Sequence, residues 1–199
     1  REFMGYTLCL AVAQAGLFTY ITGSSYVFIE YFGVKAEHFG WIFGVNALAF
    51  VAMSQVNAWL LRKDIATPDR IMRKALIGLS LAGAFAAISA LLDLGMWMMI
   101  LPLFLFMGML GPLFPNATAG AMEHQKHRAG AASALAGMIQ FSASAMAAGF
   151  LSLMHATTPV PMGLMLAISG TGAYLLFMRM NNYRPPQVMP TPDADTPLG

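Results

Sequence analysis

Apolar residues fill six long runs of this chain, and polar and charged residues collect in the corners between them. A bilayer core needs about 20 apolar residues per helix. The runs therefore predict an all-α integral membrane fold of six transmembrane helices, at about residues 4–32, 39–61, 71–92, 96–119, 129–154 and 160–180. The first run is long enough to tilt or kink, with Gly23-Ser24-Ser25 as the expected place. The fourth holds Pro102, Pro112 and Pro115, of which the last two should break or bend it. The fifth is crowded with Ala, Gly and Ser, and Gly40 with Gly44 forms a small-xxx-small pair in the second, so neighbouring backbones can approach closely there. Residues 181–199 hold several prolines and no apolar periodicity, and are expected to be a disordered tail.

Composition agrees with the pattern. The 199 residues are 58% hydrophobic and only 10% charged, with mean hydropathy +0.63. A soluble domain carries about 25% charged residues. Cys9 is the one cysteine, so no disulfide framework and no cysteine-based metal site is expected. A net charge of +2 gives no reason to expect a nucleic acid partner.

The placement of charge matters more than its sum. With six spans, all of the eleven Lys+Arg except Lys35 fall on one side. The positive-inside bias makes that side cytoplasmic and puts both termini there, with Asp93 and His155 near the outer side. The chain opens Arg1-Glu2-Phe3 and shows no signal peptide, which suggests a fragment whose natural N-terminal part is missing.

No acidic or basic side chain sits at mid-span. Glu30 lies roughly 39 Å of helical rise beyond Met4, at the outer interface, where a solvated carboxylate or an outer gate are the two readings. Uncharged polar groups do reach mid-depth. Gln14 and Gln140 each lie roughly 15 Å into their spans, and Asn46 sits inside the second. An amide in hydrocarbon needs a partner or water, so these three either bond between helices or line a cavity. Gln55 and Asn57 fall near the cytoplasmic end and are expected at the interface or as loop anchors. Phe18, Tyr20, Tyr26 and Phe28, together with 17 methionines, could form an adaptable apolar wall, or be ordinary membrane packing. Gln14, Phe18, Tyr20, Tyr26, Asn46 and Gln140 are thus the candidate substrate-binding, cavity-lining residues.

Two strings bear on metal binding and catalysis. His124-x-x-His127 has the spacing of a ligand pair but lies in a basic loop without a third ligand nearby, so no metal is expected. A six-helix intramembrane serine protease would need a nucleophile followed by a histidine on a later helix. The nearest string, Ala167-Ile168-Ser169-Gly170, falls in the last span with no histidine after it, so no enzyme is expected.

Three strings, AGLFTYITGSSYVFIEYFGVKAEHFGWIFGVNALAF, SQVNAWLLR and GPLFPNATAGAMEHQKHRAGAASALAGMIQF, resemble the C-terminal half of Bcr/CflA-type drug-resistance transporters of the major facilitator superfamily. The likeness runs through most of Ala15 to His155. It implies twelve helices in two six-helix halves, with this chain as helices seven to twelve in a bacterial inner membrane. It also implies drug:proton antiport that exports small amphiphilic antibiotics such as bicyclomycin, chloramphenicol or sulfonamides, with the proton as coupling ion and no other cofactor. The partners implied are such drugs, protons, membrane lipid and the missing N-terminal six-helix half. That family's proton-coupling carboxylates lie mainly in the other half, and RKDIATPDRIMRK at 62–74 is a degenerate counterpart of its basic loop motif. The alternative is a six-helix membrane scaffold or assembly subunit without transport of its own, which should bury Gln14, Asn46 and Gln140 in helix contacts.

Overall fold

A computed structural model describes residues 2–154 and 158–181. His155 and the tail from 182 onward lie outside the described residues. Among the described residues the chain forms α1 (Glu2–Ser25), a π-helical segment (Tyr26–Tyr31), α2 (Ala36–Arg62), α3 (Pro68–Leu91), α4 (Met96–Met122), a 3-10 turn (Lys126–Arg128), α5 (Ala129–Leu153) and α6 (Val160–Asn181). All six helices are long and apolar enough to cross a membrane.

The corners are chemically explicit. Asp64 and Asp93 follow α2 and α3 in left-handed backbone conformations, φ 52° and 46°. The next amides, Ile65 and Leu94, reach back to the carbonyls of Leu60 and Ser89 at 3.1 Å. Both are six-to-one closures of a helix end, with Asp in the place usually held by Gly. Pro68 starts α3 at the one place where its missing N–H costs nothing.

Helix α1 is the hub, packed against α4, α5 and α6, while α3 packs against α4 and α6, and α2 against α4. Glycines set these distances. A Cβ on Gly83 would stand 2.5 Å from the Leu166 carbonyl oxygen, one on Gly163 2.9 Å from that of Ala86, and one on Gly170 2.7 Å from that of Leu79. The three contacts share one antiparallel register, and Ser80 Oγ closes it by donating to the Gly170 carbonyl at 2.9 Å. This is backbone-on-backbone packing, which in lipid replaces the hydrophobic drive that soluble helices enjoy. Gly23 on α1 instead makes room for side chains, since a Cβ there would lie 2.9 Å from Met162 Sδ and 3.0 Å from the Leu151 side chain. Gly23-Ser24-Ser25 is still α-helical, and the helix changes from α to π geometry immediately after it, at Tyr26.

The prolines do not break α4. Pro102 has no N–H for the Met98 carbonyl, and Ser89 Oγ of α3 takes its place at 2.8 Å. A borrowed hydroxyl satisfies the freed acceptor, as membrane helices require.

Burial is uneven. Of the most apolar window of each helix, 56% is buried in α1 and α4, but only 11% in α2 and 17% in α5. Helix α5 leans on α1 almost alone, and much of both α2 and α5 is left without a protein neighbour.

Candidate substrate-facing site

The six candidate residues fall into two groups. Tyr20 and Asn46 are 1% and 0% exposed, and Asn46 Nδ2 donates to Tyr20 Oη at 3.0 Å, tying α1 to α2. Phe43 stacks on the Tyr20 ring at 5.5 Å and 13°. This amide therefore meets its need between helices, which is one of the two readings open from sequence. It meets it incompletely: Asn46 Oδ1 is buried and accepts no hydrogen bond from the described residues.

Phe18, Tyr26 and Gln140 are only partly covered. Phe18 meets Phe141 of α5 edge-on, centroids 6.2 Å apart at 87°, and Phe141 remains 62% exposed. Gln140 adjoins Phe141 on α5, and its backbone carbonyl accepts Ser144 Oγ at 2.8 Å, leaving the side-chain amide outside that bond. Aromatic edges on α1 and α5 and one amide of α5 are thus left incompletely covered by the described residues.

Gln14 stands between the groups. It is 5% exposed, and four residues from Phe18 it shares that face of α1. One further polar group on this side of α1 was not apparent from the sequence. Thr7, two turns before Gln14, is 1% exposed with a hydroxyl that no described group bonds. Other hydroxyls of α1 look inward to their own helix: Thr19 Oγ1 donates to Ala15 at 2.9 Å, and Ser24 Oγ to Ile21 at 3.5 Å. Self-bonding of this kind lets Ser and Thr sit in an apolar span without a ligand.

Asn57 departs from its expected interfacial place. It is 3% exposed and bonded to Asn116 of α4, a residue the sequence pattern did not single out, whereas Gln55 is exposed as expected. The signal was available in Pro112-Leu113-Phe114-Pro115-Asn116, where two prolines weaken the helix and an amide follows. At the end of the bundle where α1 begins, Glu2 pairs with His124 at 3.5 Å, both exposed.

A family profile described as Major Facilitator Superfamily matches residues 1–148. The chain is 31% identical over 183 residues to a bicyclomycin resistance protein homolog of Haemophilus influenzae, covering 90% of this chain and 46% of that protein. It is 28% identical over 184 residues to an uncharacterized MFS-type transporter of Bacillus subtilis, YdgK, covering 92% and 45% respectively. The chain thus spans about half the length of the curated relatives it matches. No solved structure matches.

Proposed function

We propose that this chain, which belongs to the Major Facilitator Superfamily, supplies one six-helix half of the translocation pathway of a drug:proton antiporter. Its cargo would be small amphiphilic antibiotics of the bicyclomycin, chloramphenicol or sulfonamide kind, and its setting a bacterial inner membrane with both termini in the cytoplasm. The observation that carries the reading is the half-length match to transporter relatives, one of them a bicyclomycin resistance protein homolog.

The thin burial of α2 and α5 supports it further. Gly40 and Gly44 on α2, and Gly130, Gly137 and Gly149 on α5, have nothing within 4 Å of a built Cβ, unlike the glycines of the α3–α6 contact. Small residues on open faces suit docking of further helices. The second six-helix half is the occupant that fits them. Substrate would meet Phe18, Gln140 and Tyr26 directly. Gln14 would sit just behind them, and the Tyr20–Asn46 pair would hold α1 against α2.

The scaffold alternative required Gln14, Asn46 and Gln140 all to be sealed. Gln140 is not. The test is drug accumulation in cells expressing the chain with and without a companion half, before and after collapse of the proton gradient. Gradient-dependent efflux only with both halves is expected. Efflux by residues 1–199 alone, or efflux indifferent to the gradient, would overturn the reading.

A further inference from the structure

Helices α3 and α6 carry their exposed faces on the outside of the glycine-packed pair, and those faces are apolar: Leu81 is 66% exposed and Ile168 70%. Followed toward the start of α3, the stripe holding Leu81 turns into Arg70, Arg73 and Lys74, all exposed. The stripe holding Ile168 on α6 ends in Arg179, also exposed. Gly170 meets Leu79 in antiparallel register, so nine residues further along each helix Arg179 comes level with Arg70. Four cations thus gather at one end of one helix pair. Among the described residues none of the four is ion-paired to a carboxylate. Asp69, the nearest in sequence, is half-buried and accepts the Tyr6 hydroxyl at 3.3 Å.

Solvated loop cations would need no particular surface beside them. Here two exposed apolar stripes lead directly into the cations, which is the outline of an amphiphile with an anionic head. We propose that the outer face of α3 and α6 binds one anionic phospholipid. Its phosphodiester sits among Arg70, Arg73, Lys74 and Arg179, where guanidinium forks suit phosphate oxygens. Its acyl chains lie along Leu81 and Ile168. Clusters of Lys and Arg at a membrane surface attract anionic lipid in this way.

The test takes the protein as assembled in its native membrane and reads lipid retained in native mass spectrometry, together with the thermal midpoint. Phosphatidylglycerol is titrated into a phosphatidylcholine background. The wild type is expected to retain phosphatidylglycerol selectively and to gain thermal stability from it. Each of Arg73→Gln and Arg179→Gln should lower retention by about 5-fold, and the four-fold glutamine variant should lose selectivity. Arg62→Gln with Lys63→Gln, equally basic but off the stripe, should leave it unchanged. An equal loss in that control would reduce the site to diffuse surface charge and overturn the proposal. So would full retention by the single variants, or equal stabilisation by inorganic phosphate, which has the anionic head without the chains.

Discussion

Asn116 on α4 donates one hydrogen of its side-chain amide to Asn57 Oδ1 on α2 and the other to the Pro112 carbonyl, both at 2.8 Å. The two residues are 4% and 3% exposed. One side chain therefore ties the proline-rich part of α4 both to itself and to the helix beside it. The backbones are close there, since a Cβ on Gly111 would meet the Phe50 carbonyl and, at 2.9 Å, the Ser54 amide nitrogen.

Asn116→Leu should therefore destabilise the protein by about 1–2 kcal/mol, because Asn57 Oδ1 is left buried without its donor. Asn57→Leu leaves Asn116 its bond to Pro112 and should cost less. The double variant should cost less than the two singles together. Thermal unfolding in detergent with a double-mutant cycle checks this, and strictly additive losses would mean the pair is not coupled.

The glycines divide into two classes with opposite expectations. Gly83→Ala forces a methyl to within 2.5 Å of a backbone oxygen and should cost about 1–3 kcal/mol by driving α3 from α6. Gly40→Ala and Gly137→Ala meet nothing within 4 Å and should leave the stability of the six-helix unit unchanged or slightly raised. Unfolding midpoints of the three variants compare the classes directly. Loss of the companion half on mutating Gly137 to Leu, at unchanged unit stability, would connect the open class to assembly.

Six helices were legible in the sequence because membrane solvation leaves a backbone few alternatives, and length and hydropathy then suffice. Which side of each helix meets which neighbour was not. Helices α3 and α6 form a glycine-packed pair whose register depends on where Gly83, Gly163 and Gly170 fall relative to one another, a tertiary fact. Helix period placed Gln14 and Phe18 on one face. It could not show that Asn46 would spend its amide on Tyr20, since a hydrogen bond across 26 residues depends on the meeting of two helices. Ser89 could not be matched to Pro102 either: a proline shows that a carbonyl is freed, not who takes it.

Orientation can be checked by accessibility. Cys9 is 0% exposed and bonded to the Ala173 carbonyl at 3.3 Å, so the native thiol should contribute little background. Cysteine at 64, 93 or 125, one at a time, should report topology in intact cells. An impermeant reagent should label position 93 from outside and spare 64 and 125. Labelling of either of the latter from outside would reverse the assignment.

On the proposed role in drug export, the two groups of candidate site residues predict different phenotypes. Tyr20→Phe removes the acceptor of the Asn46 amide, whose Oδ1 already accepts no hydrogen bond from the described residues, and so leaves a fully buried amide without a partner. Asn46→Leu leaves the Tyr20 hydroxyl alone instead. Either should cost about 1–3 kcal/mol of stability and lower resistance to every drug in proportion to the protein lost. Phe18→Ala and Gln140→Leu act on partly exposed groups and should leave the amount of protein nearly unchanged. Losing one wall or anchor should shift resistance by roughly 5- to 30-fold for some drugs and not others, because each amphiphile uses the face differently. Gln14→Leu, at a residue 5% exposed and one helical turn from Phe18, should fall between the groups, with some stability lost and a milder shift in selectivity. The measurement is resistance to several chemically unrelated drugs at matched protein level, in the full transporter. Drug-selective change at Tyr20 or Asn46 would move the binding surface inward to the α1–α2 contact. Uniform loss at Phe18 and Gln140 would instead make the α1–α5 face a packing surface and take it out of the pathway.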